Sequence, residues 1–214
     1  MDAATYRRAK RHWARRDPIL HRMAQEVEAP VRALASGSAF ESLVEAFAHQ
    51  QVSLASGQAI VRRLHAGLGS PMSPAAAAKL GIEGLRGLGL SRPKAGYVAD
   101  LAERVLSGAL DLEALAREAD DDEVVARLVQ VKGIGVWTAK MHLIFHLGRP
   151  DVVPHEDLGI VIAVEHGYGV PRAEAAAKIQ DLAPLWSPYG STAALTLWAW
   201  RRQEMAREKA LKHQ

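Results

Sequence analysis

Apolar residues recur at α-helical spacing along almost the whole chain, and this periodicity is the feature that most restricts the fold. The longest strand-like alternation covers only residues 151–153. Apolar residues at helical spacing form one face of an α-helix, whereas a half-buried strand needs strict alternation of apolar and polar residues. We therefore expect an all-α fold with short connections. The segments with clear helical periodicity are 2–16, 18–35, 40–68, 171–183 and 189–208.

Capping residues mark where further helices begin. Ser73 and Ser91 each stand one or two residues before a proline, which suits the first turn of a helix. Asp120 opens an acidic run whose charge opposes the positive end of a helix dipole. We therefore predict helices from Pro74, from 92 to about 106 and from 121, while glycines from Gly81 onward break the chain into short turns.

The segment Gly133-Ile134-Gly135 predicts a tight turn that leads into a helix over about 136–147. Glycine accepts positive φ and leaves backbone amides accessible, and amides at a helix N-terminus attract an anion such as a DNA phosphate. Lys132 adds a positive charge beside them. The carbonyls of Val129, Val131 and Gly133 are spaced to bind a monovalent cation, Na⁺ or K⁺. The alternative is a plain packing turn without a ligand.

Asp157 follows a short loop that contains Pro154 and precedes a helix to about residue 166. An aspartate at this place is an ordinary N-cap, or it is a reactive carboxylate. Glu156 competes with it for any carboxylate role. His142 and His146 lie four residues apart, but no glutamate adjoins the first histidine and no third ligand is evident, so we expect no side-chain metal site.

Two further groups have both a structural and a functional interpretation. Polar residues at 48–53 interrupt the apolar pattern of 40–68, as expected for an exposed turn or for a side chain that fills the gap left by an extruded base. Aromatic residues in the second half serve as core, or as π-surfaces around a flipped base. These aromatic residues are Trp137, Trp186, Tyr189, Trp198 and Trp200.

Composition narrows the classes of function. The chain has no cysteine, which excludes disulfides, iron–sulfur clusters and thiolate zinc sites. No apolar run approaches the roughly 18 residues of a membrane span, and the charged N-terminus is unlike a secretory signal, so we expect an intracellular protein. Net charges of +5 over residues 1–16 and +3 over 201–214 suit a polyanionic partner or two solvated helix faces.

Five motifs in order give the chain a resemblance to the helix–hairpin–helix DNA glycosylases, most closely the 3-methyladenine DNA glycosylase II type. The resemblance covers about 38–205. Its motifs are His49-Gln-Gln-Val-Ser53, Gly89-Leu-Ser-Arg92-Pro-Lys94-Ala95, Leu128-x4-Gly133-Ile-Gly135-x-Trp137-Thr-Ala139, Pro154-x-x-Asp157-Leu-Gly and Trp186-x-Pro188-Tyr189-x-Ser191-x6-Trp198.

The resemblance implies roles for individual residues. Asp157 corresponds to the catalytic aspartate, and Gln51 to the side chain that enters the emptied base stack. The residues that contact DNA are then Lys132, Gly133, Ile134, Gly135, Gln51 and Ser53. The residues that line the base pocket are Trp137, Met141, Trp198 and Tyr189. Met141 replaces an aromatic residue of some members, and Gly190 stands where a common arginine is missing, which implies a roomier pocket.

Relatives that also cut the DNA backbone place a Schiff-base lysine two residues beyond the second glycine, and this chain has Trp137 there. The resemblance therefore implies a monofunctional glycosylase of alkylated purines in double-stranded DNA, without cofactor. The alternatives are a non-catalytic DNA-binding module and a glycosylase for other damaged or mismatched bases.

The implied architecture has two helical lobes with a cleft between them. One lobe is 38–150, which contains the hairpin, and the other combines 1–37 with 151–214, which carries Asp157 and both basic ends. We expect no counterpart of the extra N-terminal β-domain of larger members. We expect a monomer located in the cytoplasm at the nucleoid.

Overall fold

A computed structural model describes residues 2–30 and 37–211. No residue within these ranges is in a β-strand, which confirms the all-α prediction. The twelve helices found there are α1 (Ala3–Arg16), α2 (Pro18–Glu26), α3 (Ala39–His49), α4 (Leu54–Leu68), α5 (Pro74–Gly87), α6 (Arg92–Leu106), α7 (Leu112–Glu118), α8 (Asp121–Leu128), α9 (Val136–Phe145), α10 (Leu158–Tyr168), α11 (Arg172–Trp186) and α12 (Gly190–Leu211).

The chain folds as two compact units. The terminal unit consists of Met1–Leu34 and Gly148–Gln214, and the middle unit is Ala35–Leu147. The predicted lobes, 38–150 and 1–37 with 151–214, stay a prediction. The cleft between lobes stays a prediction.

The terminal unit packs α1 and α2 against α10, α11 and α12 around Trp13, Met23 and Trp186, which are fully buried. Asp17 is the N-cap of α2 and is itself buried, so its carboxylate must be paired. The indole Nε1 of Trp186 donates to its Oδ2 at 2.7 Å. This bond joins α11 to the start of α2, so the N-terminal helices are part of the same core as α10 and α12.

The middle unit contains α3 to α9, with Phe47, Leu64 and Leu128 fully buried. Helices α5 and α6 make its most extensive contact. The predicted starts at Pro74, 92 and 121 are confirmed, and Ser73 and Asp120 cap their helices with side-chain bonds to Ala76 and Glu123.

Three predictions about helix extent are wrong. The segment 40–68 forms two helices, α3 and α4, because Gln51 has a φ of +53° and Ser53 caps a new helix. Helix α2 ends at Glu26 instead of continuing to 35, and residues 31–36 lie outside the described residues. Gly84 and Gly87 lie within helix and form no turn, whereas Gly81, with a φ of +61° and a ψ of −177°, does interrupt the helical backbone of α5 as predicted.

None of the helices in the described ranges has the length and apolar character needed to cross a membrane.

Candidate active site

Asp157 is the N-cap of α10. Its Oδ1 accepts the amide of Ile160 at 2.9 Å, and its backbone φ of −71° and ψ of 122° are extended, as an N-cap requires. The side chain is half-buried. The cap interpretation of the sequence is therefore correct, and it also fixes the rotamer of the carboxylate at the positive end of a helix dipole.

Trp198 holds the same carboxylate from the other side. Its indole Nε1 on α12 donates to Oδ1 of Asp157 at 2.7 Å. The two residues can approach because Gly159 lies between them: a Cβ at 159 would be 3.0 Å from Asp157 Oδ1 and 3.0 Å from Trp198 Cδ1. The carboxylate thus belongs to a small cluster of Asp157, Trp198 and Gly159, all within the terminal unit.

The neighbouring carboxylate Glu156 is placed differently. Its Oε2 lies 3.6 Å from Nδ1 of His155, and both side chains are on the loop before α10. Glu156 is exposed and does not cap the helix. Of the two carboxylates, Asp157 is therefore the one whose direction is fixed by a helix and by an aromatic donor.

The loop that leads to Asp157 is fastened to the start of α12. Asp151 accepts the amide of Gly190 at 2.8 Å and the hydroxyl of Ser187 at 2.6 Å. Ser191 donates to the carbonyl of Arg149 at 2.6 Å and accepts the amide of Val152 at 3.0 Å. A helix that begins at Gly190 is thereby capped by a residue 39 positions earlier in the chain.

Gly190 is the position where the resemblance expected an arginine. A Cβ there would lie 2.8 Å from Asp151 Oδ1 and 2.9 Å from Val153 Cγ2. The missing arginine therefore has a local physical reason, since Asp151 occupies the space into which any side chain at 190 would extend.

The hairpin between α8 and α9 has the predicted tight turn. The amide of Val131 donates to Leu128 O at 3.0 Å, and the amide of Ile134 donates to Val131 O at 3.1 Å. Val131 and Ile134 are buried, so they anchor the turn in the core, while Lys132 between them is exposed. The predicted basic side chain therefore faces solvent beside the turn.

The two glycines of the hairpin do different things. Gly133 has a φ of +85°, but Gly135 has a φ of −93° and an extended backbone, so only one of them uses the left-handed region. Gly135 is the N-cap of α9 and supplies no side-chain hydrogen bond. The amides at the start of α9 thus lack the side-chain cap that most helices of this chain have, which leaves this helix end suited to an external anion.

Helix α6 contacts the hairpin through Tyr97 and Asp100. A Cβ on Gly133 would lie 2.3 Å from Cδ2 of Tyr97, so the ring packs directly on the glycine. The amide of Lys132 donates to Oδ2 of Asp100 at 3.2 Å, and Asp100 is paired with Arg104 at 3.0 Å. Tyr97 and Asp100 lie three residues apart, on one face of α6.

The carbonyls of the predicted cation site have an additional neighbour. The Gly133 carbonyl accepts Nε2 of Gln50 at 3.1 Å. A carbonyl oxygen has two lone pairs, so this bond is compatible with a cation on the carbonyls of Val129, Val131 and Gly133. The cation itself stays a prediction.

Gln51 and Ser53 lie in the loop between α3 and α4. Gln51 is exposed, and among the described residues it is the non-glycine residue with a positive φ. Ser53 Oγ accepts the amide of Ser56 at 3.2 Å and so caps α4. The hydroxyl of Ser53 has a structural role, and contact of either residue with DNA stays a prediction.

The other residues predicted for the base pocket are described within the unit to which each belongs. Trp137 is 45% exposed in the first turn of α9, which is unusual for so large an apolar side chain, and Met141 is half-buried one turn later. In the terminal unit Tyr189 packs against the core and makes an edge-on contact with His12, with ring centroids 5.5 Å apart. Their role around a base stays a prediction.

Sequence reasoning missed several residues that organise the site. Tyr97, Asp100 and Asp151 act on partners that are remote in sequence, as do Gln50 and Lys94, which appeared only inside motifs. Their types were a weak signal, because a Gln, an Asp or a Lys on a polar segment is usually solvated.

Comparison with known proteins gives one family. Residues 44–188 match the model described as the HhH-GPD superfamily of base excision DNA repair proteins. DNA-3-methyladenine glycosylase 1 of Schizosaccharomyces pombe is 30% identical over 171 residues, which are 79% of this chain and 75% of that protein. A Bacillus subtilis relative is 31% identical over 168 residues, and the alignment spans 75% of this chain but 58% of the relative.

Two solved structures are similar over nearly the whole chain. A DNA-3-methyladenine glycosidase from Bacillus halodurans has a TM-score of 0.80 and 29% identity, with coverage of 95% of this chain and 94% of that one. The Schizosaccharomyces pombe 3-methyladenine DNA glycosylase, solved in complex with abasic DNA, has a TM-score of 0.77 and 27% identity, with coverage of 89% and 95%.

Proposed function

Because the chain belongs to the HhH-GPD superfamily of base excision DNA repair proteins, we propose that it is a monofunctional DNA glycosylase. It hydrolyses the N-glycosidic bond of alkylated purines, of the 3-methyladenine and 7-methylguanine type, in double-stranded DNA. The observation that carries this proposal is the carboxylate of Asp157, which is fixed by its cap bond to Ile160 and by the indole of Trp198.

Relatives support the substrate class. The Schizosaccharomyces pombe protein that matches 79% of this chain is named a DNA-3-methyladenine glycosylase, and its solved structure contains abasic DNA, the product of base removal. An alkylated purine is cationic and leaves readily, so an enzyme that acts on it needs little help for the leaving group.

The reaction breaks the bond between C1′ of the sugar and the purine nitrogen. Both bonding electrons leave with the base, which neutralises the cationic purine, and positive charge develops on the sugar. The Asp157 carboxylate stabilises this charge and orients the attacking water. Water oxygen then bonds to C1′, its proton passes to the carboxylate or to solvent, and the products are an abasic site and a free base.

Trp137 supports the monofunctional assignment. A lyase forms a Schiff base with C1′ through a lysine, and the corresponding position in the first turn of α9 is an exposed indole. Without that amine the sugar is attacked by water, so the DNA backbone stays intact.

The hairpin and the loop between α3 and α4 are the proposed DNA contacts. Amides at the uncapped start of α9, together with Lys132, bind a phosphate, and Gln51 fills the space of the extruded base. A monovalent cation on the carbonyls of Val129, Val131 and Gly133 would strengthen the phosphate contact. We further propose that the protein acts as a monomer in the cytoplasm.

The test is base release from methylated duplex DNA under single-turnover conditions. We expect the wild-type protein to release 3-methyladenine or 7-methylguanine and to leave abasic sites that break only after heating with alkali. Asp157→Asn should lower the rate by at least about a thousandfold while DNA affinity is kept, because Asn caps a helix as well as Asp does.

Glu156→Gln is the matched control, since it removes the neighbouring carboxylate charge on the same loop. It should keep the wild-type rate. Wild-type activity in Asp157→Asn refutes the assignment of the carboxylate. DNA binding without release of any base would instead identify a non-catalytic module, and release of oxidised or mismatched bases alone would identify a different glycosylase.

A further inference from the structure

The loop of residues 50–53 between α3 and α4 has an uncommon backbone. Gln51, at its tip, has a φ of +53° and an exposed side chain. Left-handed backbone at a residue other than glycine is unfavourable by itself and persists where surrounding contacts fix it. The residues that contact loop 50–53 are therefore candidates for holding Gln51 in this conformation.

Lys94 on α6 makes two of these contacts. Its Nζ donates to the carbonyl of Ala48 at 3.2 Å and to the carbonyl of Gln50 at 2.6 Å. Both carbonyls are at the C-terminal end of α3, where helix carbonyls lack intrahelical partners and a cation is favoured by the dipole. Lys94 is half-buried as a residue, and desolvation lowers the pKa of its ammonium. Lys94 therefore donates two hydrogen bonds to backbone carbonyls of the protein.

Gln50 makes the connection to the hairpin. Its Nε2 donates to the carbonyl of Gly133 at 3.1 Å, while its own backbone carbonyl is one of the two that accept Lys94. On its other side, Gly133 packs against the ring of Tyr97, three residues beyond Lys94 on α6. Loop, hairpin and helix therefore form a closed set of contacts inside the middle unit.

We propose that Lys94 and Gln50 are a positioning pair that holds loop 50–53 at a fixed place relative to the hairpin. The inference rests on the proposed function, in which Gln51 enters the base stack and the hairpin binds phosphate. A side chain that fills a gap one nucleotide wide must be held at a set distance from the phosphate contact. The positioning pair supplies this distance before DNA binds, so ordering of the loop is not needed during base extrusion.

The experiment compares two substrates that carry 7-methylguanine. In one duplex the base is paired with cytosine, and in the other it is in a single-nucleotide bulge and has no partner. Lys94→Met keeps the aliphatic stem and removes the donors. We expect single-turnover release from the paired substrate to fall about ten- to a hundredfold, which is the range for loss of a charge-assisted hydrogen bond, while release from the bulge stays within about threefold.

Lys79→Met is the matched control, because Lys79 is exposed on α5 in the same unit and its loss changes the net charge equally. It should leave both rates unchanged. Gln50→Ala should repeat the selective loss, and the double variant should be no slower than the slower single variant, because both changes break one connection. If Lys94→Met does not fold, Gln50→Ala carries the comparison.

The outcomes distinguish the positioning role of Lys94 and Gln50 from the glycosylase activity itself. Equal losses on both substrates, or no loss on the paired one, overturn the positioning role while the glycosylase assignment stands. A wild-type protein that releases no base from either substrate refutes the proposed function, and the positioning role is refuted with it.

Discussion

His142 gives the middle unit a specific sensitivity to acid. Its ring is buried on α9, the helix that begins at the hairpin, with Nδ1 3.2 Å from the Ser42 hydroxyl and its centroid 4.7 Å from that of His146. Burial, and secondarily the charge of His146, lowers the pKa of His142 from 6.5 to about 3. Burial also lowers the pKa of His146.

The sign of the effect follows from linkage. Below pH 6.5 the unfolded chain binds a proton at residue 142 that the folded protein does not bind, and this difference lowers the free energy of unfolding. The contribution of neutral His142 to stability is therefore fully present above pH 6.5 and is lost as the pH falls toward 3. At pH 5 the loss is about 2 kcal/mol, and the full span corresponds to about 5 kcal/mol. The total stability of a domain is about 5–15 kcal/mol, so the effect is large.

The assay is urea unfolding of wild type and of His142→Asn at pH 7.5, 6 and 5. Asparagine can still bond to Ser42 and does not titrate. The variant loses packing at every pH, so only the change in unfolding free energy with pH is compared. We expect the wild-type value to fall by about 2 kcal/mol more than the variant's between pH 7.5 and 5. If the unfolding free energies of the two proteins fall equally between pH 7.5 and 5, the prediction that His142 is buried in its neutral form is refuted.

Two further predictions concern the candidate site. Trp198→Phe removes the indole donor to Asp157 and should slow base release about ten- to a hundredfold with little change in DNA affinity, as measured by single-turnover release and DNA titration. Gly133→Ala should weaken DNA binding more than tenfold, because its Cβ collides with Tyr97. Gly169→Ala, at a φ of +66° with open space around it, isolates the backbone penalty and should leave DNA affinity unchanged.

Local signals predicted most helices correctly. Ser73, Asp120 and Asp157 cap their helices through hydrogen bonds to residues three positions later, so the cause of each start lies within one turn of sequence. The polar residues at 48–53 indicated an exposed turn as one interpretation, but the end of α3 at His49 was not predicted, and the bond from Lys94 to the Gln50 carbonyl joins residues 44 positions apart. Helix α7 was missed, because its seven residues are too few for a periodic pattern.

In the candidate site, too, the features that depend on neighbouring residues were predicted and those that depend on remote residues were not. The Gly133 turn and the Asp157 cap each depend on residues that are adjacent in sequence, and both were predicted. Gln50 and Asp100 act on the hairpin from 83 and 32 positions away, and no contiguous pattern records such pairs. Their roles follow only from the packing of α6 and α3 beside the hairpin.

The contact between Asp151 and Gly190 also bears on how this sequence can diverge. Any side chain at 190 would collide with the carboxylate that caps α12, and loss of that carboxylate would leave the Gly190 amide without its acceptor. Neither position can change alone without cost. Homologues with a larger residue at 190 are therefore expected to have a different residue at 151, so the two columns of an alignment should vary together.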